Sequence, residues 1–126
     1  MLNQLLAIKR RRERNLHRAL AALDDEARAL SAREEALQRR REAVYGELRE
    51  RTSQGGAFAP RALDTLRAEL ARLDSEGQAL ARERESVAAQ RRELERTRVE
   101  QEAALRRNLR EQEKLGLLAA ESSDEA

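Results

Sequence analysis

Thr52-Ser-Gln-Gly-Gly-Ala-Phe-Ala-Pro60 decides the fold. It holds the adjacent pair Gly55 and Gly56, and the only proline of the chain. Paired glycines weaken a helix, and a proline starts a helix far more readily than it sits inside one. The stretch therefore reads as a turn, spanning 52–60. On each side runs a long charged segment with a single apolar row. In the first, Leu16, Leu20, Leu23, Ala27, Leu30, Glu34, Leu37, Arg41, Val44 and Leu48 are spaced alternately by four and three. In the second, Leu63, Leu66, Leu70, Leu73, Gly77, Leu80, Arg84, Val87, Arg91 and Leu94 keep the same rhythm. This is the period of a coiled-coil seam and not of a strand. The expected fold is all-α, a long two-helix antiparallel coiled-coil hairpin, with helix 1 over 3–51 and helix 2 over 61–116.

Folding at the turn makes facing residues add to a constant. A constant of 110 or 111 pairs Leu48 with Leu63, Leu37 with Leu73, Leu30 with Leu80 and Leu16 with Leu94. Carried outward it pairs Leu6 with Leu105 and Leu2 with Leu109. It places Glu13 opposite Arg98, Lys9 near Glu102, Glu34 on Gly77, Arg41 on Leu70, Arg84 on Ala27 and Arg91 on Leu20. A slide of seven residues keeps the seam in phase, so the register rests on the position of the turn. Beyond Leu94 the apolar phase drifts. Val99 falls off it, and Leu105 with Leu109 fits a four-residue insertion in the repeat. Gly116 is expected to end the stable helix, with a disordered acidic tail over 119–126.

Charged residues make up 40% of the chain and aromatics 2%, Tyr45 and Phe58 being the aromatics. A globular core of this size normally holds more large side chains. Leu and Ala on one helix face bury little per residue, so marginal stability or a covering partner is expected. The absence of cysteine suits a reducing compartment. The apolar run 1–8 is too short for a secretory signal, and its charges follow it instead of preceding it. No stretch is apolar enough to span a bilayer. These features together predict a cytoplasmic protein.

Net charge is +2, unevenly placed: residues 9–14 read Lys-Arg-Arg-Arg-Glu-Arg, whereas the C-terminal residues are acidic. The basic cluster is either a solvated helix face or a contact to an acidic protein surface. Nucleic acid is not the expected partner. There is no second long basic stripe, no stacking aromatic nearby and little net charge. His17, the only histidine, has no Cys or second His near it and reads as a surface residue, not a metal ligand. Tyr45 and Phe58 either plug the end of the seam or form an aromatic docking patch at the tip. No phosphate loop, cysteine nucleophile, histidine pair or serine with a base partner is present. A non-enzyme without a cofactor or metal is expected.

The opening Ala7-Ile-Lys-Arg-Arg-Arg-Glu-Arg14, followed by one long helical hairpin, resembles the central stalk proteins of type III secretion systems. These are the YscO/HrpO (SctO) type, related to the flagellar export protein FliJ. The resemblance covers about residues 2–118. It implies a stalk that enters and stimulates a hexameric export ATPase and links it to the export gate protein, with secretion chaperones as further partners. It implies a place at the cytoplasmic face of the secretion apparatus, touching the membrane only indirectly. On this reading the paired-termini end meets the ATPase through Lys9, Arg10, Arg11, Arg12, Arg14, Arg106, Arg107 and Arg110. The tip, with Tyr45 and Phe58, meets the gate or chaperones. A monomeric hairpin is favoured over a homodimer. The rival readings are a coiled-coil adaptor or scaffold, a hairpin chaperone gripping clients at its tip, and an RNA-binding helical protein.

Overall fold

A computed structural model of the chain describes residues 1–53 and 60–125. It is an all-α helical hairpin of α1 (Leu2–Ser53) and α2 (Pro60–Glu125). Pro60 opens α2, where its missing N–H costs no helical bond. At the end of α1 the Thr52 hydroxyl donates to the Leu48 carbonyl at 2.9 Å, and the Ser53 hydroxyl donates to that of Glu50 at 2.9 Å. The Glu50 carbonyl, among the last four that the helix leaves without N–H partners, is thereby bonded. Phe58, Gly55 and Gly56 lie outside the described residues.

The chain divides into two compact units, Ala29–Arg91 and the pair of segments Met1–Arg28 with Arg92–Ala126. In each, α1 and α2 run antiparallel. In the first unit Leu37, Val44, Leu73, Leu80 and Val87 form one buried apolar cluster, with Leu30 and Leu48 packed against it. In the second the buried side chains are Leu6, Leu16 and Asn108. Every seam position expected in α1 from Leu16 to Leu48 is buried or half-buried, and so is every one in α2 from Leu63 to Leu94 except Arg91.

Facing pairs add to sums centred near 121, so the register differs from the expected one by about eleven residues. In the Ala29–Arg91 unit, Arg33 bridges Glu83, and Arg40 bridges Glu76 at 2.7 Å. Both pairs add to 116, whereas Tyr45 with Gly77 adds to 122 and Glu34 with Arg91 to 125, all above the expected 110. Arg51 and Glu69 meet at 3.4 Å on the same flank. The reason lies in the charged seam positions. The observed register brings Glu34 to Arg91 in an ion pair, and both share a surface groove with Arg84. It also frees Arg41 from Leu70: the Arg41 guanidinium lies 5.4 Å from the centre of the Tyr45 ring, a cation–π contact. Gly77, expected to leave room for Glu34, is instead the seat of Tyr45. The Tyr45 hydroxyl would lie 3.4 Å from a Cβ built on Gly77.

The outer unit is shifted likewise. Lys9 bridges Glu111 instead of nearing Glu102. Gln112 donates to Glu13 at 2.9 Å, so Glu13 does not face Arg98. Arg98 instead meets Asp24 at 2.9 Å. Nor is there a phase insertion beyond Leu94. The half-buried and buried positions continue through Arg98, Gln101, Leu105, Asn108, Gln112 and Leu115, still by fours and threes. Leu109, expected in the seam, is 43% exposed, and Asn108 takes the place at 5%. Val99 is exposed, as its position off the row predicts.

Gly116 does not end the helix, and the stretch expected as a disordered tail is helical to Glu125. Glycine within a helix costs about 1 kcal/mol relative to alanine, too little to stop a run that continues Leu-Leu-Ala-Ala. A Cβ on Gly116 would meet no atom within 4 Å. Gly116→Ala is therefore expected to stabilise the protein by about 0.5–1 kcal/mol, read as a higher midpoint of thermal unfolding by circular dichroism. A lower midpoint would show that this stretch is not helical in solution.

Candidate functional site

The antiparallel course of the helices determines which basic residues meet. Residues 9–14 near the start of α1 and 106–110 near the end of α2 fall in the same unit. Lys9, Arg12 and Arg107 line one shallow groove, together with Ala104, Asn108 and Glu111. Two runs about a hundred residues apart in sequence thus share one end of the fold.

Within this end the cations are not equivalent. Lys9 is half-buried and bonded to Glu111. That hydrogen bond, with the charge of Lys9, holds the Glu111 carboxyl below its usual range. Lys9 is therefore engaged within the fold. Arg10, Arg11, Arg12, Arg14, Arg106, Arg107 and Arg110 are all exposed, and none takes part in an ion pair among the described residues. Arg98, earlier in α2, contrasts with them. It is bonded to Glu102 and lies beside Asp24, and these contacts hold its guanidinium pKa above the ordinary value. Seven unpaired guanidinium groups at one end suit two-point contacts to carboxylates or phosphates.

Tyr45 lies in the other unit. The residue is 37% exposed, and its ring rests on Gly77 with Arg41 over it. Phe58, its expected partner in an aromatic patch, lies outside the described residues. His17 sits on the surface 3.5 Å from Glu13, one turn earlier. Among the described residues no cluster of His, Cys, Asp or Glu has metal-binding geometry.

Two features escaped the sequence reading. Asn108 in the seam is one; continuing the alternation of four and three past Leu94 finds it. The Tyr45 seat on Gly77 is the other, and it follows only once the register is known. Leu5 and Ile8, which broaden the apolar face beside Leu2 and Leu6 in the sequence, stay exposed together with Met1.

The fold is thus a two-helix coiled-coil hairpin with charged faces and a basic end. The chain belongs to the family described as secretion system apparatus protein SsaO, whose model matches residues 2–124. It is thus a component of a type III secretion apparatus. Comparison with curated proteins and with solved structures gave no significant match. No helix among the described residues is long and apolar enough to cross a membrane.

Proposed function

We propose that the protein is the central stalk of a type III secretion export apparatus. In this reading it inserts in the hexameric export ATPase, stimulates it and links it to the export gate at the cytoplasmic face, with export chaperones as further partners. The observation that carries the reading is the gathering of Arg10, Arg11, Arg12, Arg14, Arg106, Arg107 and Arg110, unpaired and exposed, at the end holding both chain termini. Membership of an apparatus family supports it. This end enters the ATPase ring, and the unit with Tyr45 faces the gate.

The hairpin acts as a non-catalytic regulator. Solvent-exposed ion pairs are worth about 1 kcal/mol or less each. Contacts of this kind exchange readily as ring subunits change state, unlike a broad apolar interface. Stimulation then works by favouring one subunit conformation over another, which requires only that the stalk bind the two differently.

The test is the turnover of the export ATPase from the same organism, titrated with the protein. The wild type should raise turnover. Reversing Arg10, Arg11 and Arg14 to Glu should raise the concentration for half-maximal stimulation at least about tenfold, three surface contacts of about 0.5 kcal/mol each giving that factor. Helicity should be unchanged. No stimulation by the wild type, or undiminished stimulation by the charge-reversed protein, counts against the stalk reading.

A further inference from the structure

We propose that one side of the unit formed by Met1–Arg28 and Arg92–Ala126 is a groove for an amphipathic helix of a partner protein. That helix places an apolar row inward and carboxylates along its rim. The proposal goes beyond the stalk reading and does not rest on it.

The groove is built from two rows. On α1, Met1, Leu5 and Ile8 are spaced by four and three, beside the seam row of Leu2, Leu6, Lys9 and Glu13. All three are exposed, Ile8 by 62%. The next member of the row is Arg12, and Arg12 lines a groove with Ala104, Arg107 and Glu111 of α2. This common groove shows which side of α2 the row faces. From Ala104, Arg107 and Glu111 the same spacing runs on to Lys114 and Leu118, both exposed. Because the helices are antiparallel and Lys9 meets Glu111, Leu118 comes level with the Met1–Leu5 end. Apolar side chains thus flank the groove toward the chain ends, and cations flank it further in.

Charge selects the occupant. Arg12, Arg107 and Lys114 form no ion pair among the described residues, and Glu111 is paired with Lys9, with the charges of Arg107 and Lys114 also bearing on it, so the groove carries an excess of positive charge. A second copy laid on the same side would bring like charges together, since a two-fold contact pairs a surface with itself. A bilayer is flat and would not reach into the space between two helices. A helix with Leu-like residues every three or four positions and Glu or Asp beside them fits both the shape and the charge. This is the helix-in-groove mode of recognition. Arg10, Arg11 and Arg14, on which the stalk test rests, lie off both rows.

The probe is a fluorescein-labelled synthetic helix of about 20 residues, roughly 30 Å long. It carries Leu at alternating three- and four-residue spacing with Glu beside it, and the full-length protein is titrated into it. Anisotropy should rise to saturation. Ile8→Glu and Leu118→Glu should each weaken binding at least about tenfold, as expected for an apolar anchor, with helicity retained. Arg12→Glu with Arg107→Glu should also weaken it and reduce its salt dependence. No binding by the wild type overturns the proposal, and so does binding that Ile8→Glu leaves intact. Equal binding of a control peptide with Gln in place of Leu overturns it too, since that would be bare charge attraction. Two further outcomes reassign the row. A doubled mass by light scattering that Ile8→Glu halves gives it to a second copy. Ile8-dependent sedimentation with phosphatidylglycerol vesicles gives it to lipid. Because this assay contains no ATPase, its failure and the failure of the stalk reading are separate results.

Discussion

Val44→Asp is expected to unfold the Ala29–Arg91 unit or leave it barely folded. Val44 is 0% exposed and lies in the one buried apolar cluster of that unit, with Leu37, Leu73, Leu80 and Val87. An aspartate there either carries a charge in an apolar seam or must take up a proton to avoid it. Either route costs several kcal/mol. The valine's own burial, about 1.5 kcal/mol or more, is lost as well. The expected loss is about 3–5 kcal/mol. A seam one residue wide has no second layer to absorb it, so most of the total stability of a small domain would go. Urea unfolding followed by circular dichroism measures it. A loss below about 1 kcal/mol would mean that the seam is not closed at Val44 in solution.

Asn108→Leu should act in the opposite direction. Asn108 is 5% exposed in a seam position, and its side-chain oxygen accepts a bond from Gln112 at 2.6 Å. The same Gln112 nitrogen donates across to Glu13 on α1 at 2.9 Å. A leucine keeps the position filled and adds apolar burial. The lost hydrogen bond is worth about 1 kcal/mol, and burying a leucine side chain about 1.5–3 kcal/mol. A net gain of about 1–2 kcal/mol follows, with Gln112 still satisfied by Glu13. The gain carries a loss of specificity. A polar residue at one seam position fixes register and partner number, and a leucine there accepts many partners. The variant should therefore unfold at higher temperature and show self-association by light scattering. A lower melting temperature would show that the Glu13–Gln112–Asn108 network outweighs the added apolar surface.

Asn108 also marks where the sequence became hard to read. The phase of both helices was legible from Leu, Val and Ala alone up to Leu94. A coiled-coil seam is defined by period, and period survives substitution at single positions. Beyond Leu94 the seam passes through Arg98, Gln101, Asn108 and Gln112. Following the apolar residues then led to Leu109, one position off the row. The register was not legible for a different reason. Leucines can be matched along the seam at more than one offset, so the choice fell to the few residues that are not leucine. Glu34 goes to Arg91, and Tyr45 goes to the gap at Gly77. Those preferences are pairwise and spatial, and neither partner announces the other in sequence. The basic end was legible as composition, since any hairpin brings its two ends together. That Lys9 is tied to Glu111 while Arg12 and Arg107 stay unpaired depended on the register, and so became visible only in the structure.

The apolar cluster lies in one unit, while the other buries two leucines and an asparagine. Cooperative openings follow buried apolar contacts. Backbone amides around Val44 and Leu80 therefore exchange with solvent only when that unit opens as a whole. Amides at the terminal end exchange through smaller and more frequent openings. An end that opens readily pays its ordering entropy when it is gripped, so binding there carries a heat-capacity change beyond that of the contact surface itself.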